Sequence, residues 1–124
     1  LDELTTTTSS QVWLIKDGQV VESVLDPSDL GLAAVQPSEL VGGDAAHNAE
    51  VVRTVLAGAA GPVRDIVTLN AAAAALAYAG PVLDAPVADQ LAPMLEAARG
   101  AIDSGAAAAT LERWIRVSRA ARED

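Results

Sequence analysis

Two short β-branched runs stand near the start of the chain, residues 11–15 (QVWLI) and 19–25 (QVVESVL), separated by Lys16-Asp17-Gly18. Asp-Gly between such runs predicts a hairpin closed by a type I′ turn, which needs positive φ at both central residues. With Asp17 and Gly18 at the turn, Lys16 pairs with Gln19 and Trp13 with Glu22. One face then carries Trp13, Ile15, Val20 and Val24, and the other Val12, Leu14 and Val21. Both faces are largely apolar, so the hairpin is expected to be covered on both sides, and a lone hairpin is marginal in water anyway.

Beyond Asp26-Pro27 the periodicity lapses. Residues 28–41 are broken by Gly31 and Pro37 and predict a loop with one or two short helical turns. Helical spacing then takes over. Gly42-Gly43-Asp44 sets an N-cap aspartate before Ala45, Ala49, Val52 and Leu56. Gly61-Pro62 opens a second helix with Ile66, Leu69, Ala73 and Leu76 on its inner stripe, and Gly80-Pro81 stops it. A third spans about 86–104 with Val87, Leu91, Leu95, Ala98 and Ile102 on one face; Pro93 within it predicts a kink or a start just before it. Gly105 reads as the residue after its C-cap. A fourth, about 106–121, is expected to bury Leu111, Trp114, Ile115 and Ser118.

Composition narrows the picture. The 124 residues suffice for one domain with a core. Hydrophobic residues make up 51% of the chain, yet there are only two Trp, one Tyr and no Phe. The alanine run 71–75 therefore predicts an interior of closely approaching helices. A net charge of −9 argues against nucleic acid or an anionic membrane as partner, since both call for clustered Lys and Arg. No cysteine is present, which excludes disulfides and thiolate metal sites and fits a reducing cytoplasm. No apolar stretch reaches the roughly 20 residues that span a bilayer, and no signal-peptide pattern opens the chain. The expectation is a soluble, cytoplasmic protein.

Candidate chemistry is concentrated at the start, LDELTTTTSS. Magnesium is commonly held by one or two carboxylates with waters and phosphate oxygens, so Asp2 and Glu3 beside hydroxyl residues suit a phosphate-bearing substrate. On a strand adjacent side chains diverge; the pair either sits on a turn and converges on one ion or serves different ones. A solvated terminus is the simpler alternative. Thr5 to Thr8, Ser9 and Ser10 could bond phosphates, or form a β-branched strand with polar decoration. Asp44 at its cap disfavours an anion at the Gly42-Gly43 turn. His47, the only histidine, has no nucleophile near it in the chain and reads as an exposed helix residue. Asn48 and Asn70, beside apolar stripes, read as buried hydrogen-bonded joints rather than ligands. Arg113, Arg116, Arg119 and Arg122 read as a solvated face complementing the helix dipole.

The runs LDELTTTT, LDPSDLGL, ELVGGDAAHNAEVVRTVLAG, GPVRDIVTLNAAAAAL and AIDSGAAAATLERW, in that order, resemble the C-terminal third of the anthranilate phosphoribosyltransferase family. The resemblance implies an α/β parent fold of the nucleoside phosphorylase and phosphoribosyltransferase kind, of which this piece is a β-hairpin followed by about four α-helices. It implies transfer of phosphoribose from phosphoribosyl pyrophosphate to anthranilate in tryptophan biosynthesis, with release of pyrophosphate. By the same resemblance Asp2 and Glu3 hold Mg²⁺, and the enzyme is a homodimer formed through a small helical domain. Residues 1–124 would be the C-terminal portion of the large domain; the helical domain and the glycine-rich pyrophosphate loop have no counterpart here, so the piece alone is expected to be inactive. Other readings stay open: a related phosphoribosyltransferase or phosphorylase with another acceptor, or a non-catalytic interaction module pairing through its hairpin faces.

Overall fold

The computed structural model describes residues 3–122. Strands β1 (Ser10–Lys16) and β2 (Gln19–Leu25) pair antiparallel. Asp17 and Gly18 have φ of 50° and 77°, as a type I′ turn demands. The turn fixes the register, with Lys16 opposite Gln19, Trp13 opposite Glu22 and Leu14 opposite Val21. Two 3₁₀ turns follow, Pro27–Leu30 and Pro37–Leu40. Four helices complete the chain: α1 (Ala45–Leu56), α2 (Pro62–Ala79), α3 (Val87–Asp103) and α4 (Ala106–Ala120).

The core lies between one hairpin face and helices α2 and α3. Leu14 and Leu25 from the strands, Leu32 from the loop, Leu69, Ala72 and Leu76 from α2, and Val87, Leu91 and Leu95 from α3 form one buried cluster. Burial of side chains of this size stabilises by roughly 1.5–3 kcal/mol each, which makes this cluster the main source of stability. Leucine rather than alanine dominates it. Of the run 71–75 only Ala72 is buried, because a helix turns its inner face to the core once every three or four residues.

Three expectations about burial are corrected. Trp13 (55% exposed), Ile15 (64%), Val20 and Val24 stay open to solvent, so the hairpin is covered on one face only. Helix α1 buries Val55, while Ala45 and Val52 of the expected stripe are exposed. Helix α4 buries nothing: Leu111 and Ile115 are half-buried, and Trp114 and Ser118 are exposed. Its neighbours are α1 and the more extensively packed α3, and α1 is itself peripheral, so no surface closes over the α4 stripe.

Helix ends follow local chemistry. Asp44 caps α1 by accepting the His47 amide at 2.8 Å, Pro62 opens α2, and Gly105, with φ of 78°, separates α3 from α4. Helix α3 starts at Val87 and runs through Pro93, which has no N–H to give the Asp89 carbonyl. Arg64 on α2 ties the turn after α1 to the end of α3, donating to the Gly58 carbonyl at 2.8 Å and to Asp103 Oδ1 at 2.7 Å.

Loops are fastened by carboxamides. Asn48 accepts from the Gly43 N–H at 2.8 Å and donates to its carbonyl at 2.9 Å. Gln90 does the same to Val82, at 2.7 and 2.9 Å. A Cβ at residue 42 would lie 2.9 Å from Asn48 Oδ1, so Gly42 is required by the close approach of this clamp rather than by its own torsions. Asn48 is a joint, as expected, though an exposed one.

Candidate functional site

Residues 3–9 form neither strand nor helix, which corrects the reading of the threonine run as a decorated strand. Local hydrogen bonds outcompete a ladder here, as short hydroxyl side chains often do. The Thr5 N–H donates to Ser10 Oγ at 3.2 Å, the Thr7 N–H donates to Thr5 Oγ1 at 3.1 Å, and the Thr5 and Thr7 hydroxyls are 3.0 Å apart. Val35 N–H donates to the Thr6 carbonyl at 3.1 Å, lashing the run to the loop between the 3₁₀ turns. Thr6 is fully buried, and its hydroxyl has no hydrogen-bond partner among the described residues.

Asn70 supplies the longest-range tie. It is half-buried on α2. Its Oδ1 accepts the Leu4 N–H at 3.0 Å, and its Nδ2 donates to the Leu4 carbonyl at 2.9 Å and the Ile66 carbonyl at 3.0 Å. The expectation that Asn70 is a joint between elements therefore holds, and its partner is the residue next to Glu3.

These ties shape an open cleft of about 890 Å³ between the hydroxyl run, the start of β1 and the second 3₁₀ turn. Glu3, Thr8 and Ser9 line it and are exposed, Trp13 forms part of its wall, and Pro37 and Leu40 lie opposite. Asp2 lies outside the described residues, so the structure places one carboxylate of the pair. Among the described residues no three His, Cys, Asp or Glu side chains converge to make a metal cage. A cation held at Glu3 would draw its further ligands from beyond the described residues, from water or from a substrate. That donor set suits Mg²⁺, which dehydrates reluctantly and favours one or two carboxylates plus phosphate oxygens.

The other candidates fall away from the cleft. His47 is exposed on the first turn of α1, and Arg113, Arg116, Arg119 and Arg122 are exposed on α4 and just beyond it. Asp44, engaged at its cap, keeps the glycine turn structural. Among the described residues no helix is long and apolar enough to cross a membrane.

The profile of the glycosyl transferase family α/β domain matches residues 1–108. Among curated relatives, proteins named anthranilate phosphoribosyltransferase are 55% identical over 116 residues in Nocardioides sp., 51% over 119 in Arthrobacter sp. and 51% over 123 in Leifsonia xyli. These alignments cover 93%, 96% and 96% of this chain, against 33%, 34% and 35% of the relatives. The chain thus spans about a third of the length of the relatives it matches. The match runs from the acidic pair through the hairpin and the helices of the core, and on that extent the chain belongs to the glycosyl transferase family defined by this α/β domain.

Proposed function

We propose that this chain is the C-terminal portion of the large domain of an anthranilate phosphoribosyltransferase, which transfers phosphoribose from phosphoribosyl pyrophosphate to the amino group of anthranilate and releases pyrophosphate. The observation that carries the reading is identity of about one residue in two to proteins of that name across nearly the whole chain. Nothing observed favours another acceptor or a purely structural module.

In this proposal Asp2 and Glu3 hold Mg²⁺, supported by the exposed Glu3 carboxylate at a hydroxyl-lined cleft. The ion supplies charge neutralisation for the departing pyrophosphate. The chain's own residues orient and bind: Thr8 and Ser9 offer hydroxyls to anionic oxygens. None of the described cleft residues pairs a nucleophile with a histidine base, since His47 is not among them. Positioning and leaving-group stabilisation, rather than a covalent intermediate, are what such a site can provide. A cytoplasmic homodimer belongs to the same proposal, resting on the family resemblance and, for the compartment, on the absence of cysteine.

The test is to express this chain joined to the sequence encoded upstream of it and follow loss of anthranilate fluorescence with phosphoribosyl pyrophosphate and Mg²⁺. Turnover by the longer protein and none by the 124-residue chain is expected. A longer protein that ignores anthranilate would overturn the substrate, and turnover by the short chain would overturn the view of it as an incomplete catalyst.

A further inference from the structure

We propose that Asn70 is a positioning residue for Glu3, holding the backbone at Leu4 so that the adjoining Glu3 carboxylate is presented to a divalent cation at the cleft. The inference rests on the magnesium reading above. Residues 3–9 lie outside any strand or helix, so no regular backbone ladder fixes the direction of the Glu3 side chain. The Asn70 carboxamide supplies what a ladder would. It takes the Leu4 N–H at 3.0 Å and returns a donor to the Leu4 carbonyl at 2.9 Å. The first of these bonds orients the peptide plane shared by Glu3 and Leu4, and that plane fixes the Glu3 Cα from which the side chain reaches the cleft.

The anchor itself is rigid. Leu69, next to Asn70, is fully buried, as is Ala72, and the second Nδ2 hydrogen is spent on the Ile66 carbonyl at 3.0 Å. The carboxamide therefore cannot rotate without losing bonds on both sides. Side-chain chemistry restricts the position: a carboxamide both donates and accepts, whereas a carboxylate could take the Leu4 N–H but would face the Leu4 carbonyl with a second acceptor. A polar partner that orients a metal ligand is commonly worth about 10–100-fold in metal affinity.

The experiment uses the longer protein of the preceding section, with Mn²⁺ as the probe because it shares the oxygen-ligand preference of Mg²⁺. Binding is read by electron paramagnetic resonance in the presence of pyrophosphate. Four variants are compared with the parent: Glu3→Gln, Asn70→Ala, Asn70→Asp and Thr68→Val. Thr68 is buried on α2 and, among the described residues, its hydroxyl bonds only that helix's own carbonyls, at Arg64 and Asp65, so its substitution perturbs α2 without touching Leu4. Weakening of Mn²⁺ by about tenfold in Asn70→Ala, a comparable loss in Asn70→Asp, and no change in Thr68→Val support the proposal, as does recovery of kcat in Asn70→Ala at saturating metal. Unchanged Mn²⁺ affinity in Asn70→Ala, or an equal loss in Thr68→Val, overturns it. Should Asn70→Ala fail to fold, Asn70→Asp decides by the same comparison. Mn²⁺ binding that ignores Glu3→Gln removes the magnesium reading and the clamp's role with it; a Glu3→Gln effect without an Asn70 effect removes the clamp alone.

Discussion

Helices α3 and α4 are of similar length, and each carries an apolar stripe, yet α3 buries Val87, Leu91, Leu95 and Ile102 while α4 buries no residue. The difference comes from their surroundings. Helix α3 meets α2, β2 and the first 3₁₀ turn, whereas α4 packs mainly on the end of the assembly, against α3 and α1. Amphipathic spacing tells which side of a helix is suited to burial; whether a surface lies opposite it depends on chain that is distant in sequence.

The largest test of that contrast is Leu69→Ala. Leu69 is fully buried where α2 meets the cluster, and truncation should cost about 3 kcal/mol through lost burial and the cavity left behind. A thermal melt should fall on the order of 10 °C. Trp114→Ala removes a much larger side chain, but one that is 68% exposed, and should move stability by no more than about 0.5 kcal/mol. If urea titration showed Trp114→Ala to be the costlier change, the division into packed centre and bare periphery would be wrong.

The smallest effect lies at the junction between hairpin and loop. Hydrogen bonds from the Ser28 hydroxyl and amide hold the Asp26 carboxyl below its ordinary value of 3.8. A carboxylate whose pKa is lower in the folded chain stabilises it at neutral pH and loses that contribution as the pH falls through the folded pKa. The stability difference between the parent and Asp26→Asn should therefore narrow as the medium becomes acidic, below about pH 5. A difference that stays constant from neutral to acid would remove Asp26 from the acid response.

How much of this was legible in the chain follows the range of the forces involved. Asp17-Gly18 fixed the hairpin register because a two-residue turn leaves no freedom to slip, and Pro62, Gly80 and Gly105 set helix ends through torsions they alone dictate or permit. The face of the hairpin that would be covered was not legible, since Val12 and Leu14 are no more apolar than Trp13 and Ile15. The threonine run looked extended by propensity, but the Thr5 and Thr7 hydroxyls bond to each other and the Thr5 N–H donates to Ser10 Oγ instead. Glu3 could be singled out from its neighbours. Its connection to Asn70 could not, because that contact joins residues 66 positions apart and leaves no local pattern. Arg64, too, gave no sign of bridging Gly58 and Asp103.

The carboxamide ties have a consequence for which positions can vary. Asn70 on Leu4, Gln90 on Val82 and Asn48 on Gly43 each exchange two bonds with one residue's N–H and C=O, the same exchange that makes one rung of an antiparallel sheet. Each is in effect a sheet one rung long, and it reads only backbone. The residue that is gripped can therefore change identity with little penalty to the grip, as at Leu4 or Val82, while the residue that grips cannot. In these loops the specifying information resides in the helix that faces them.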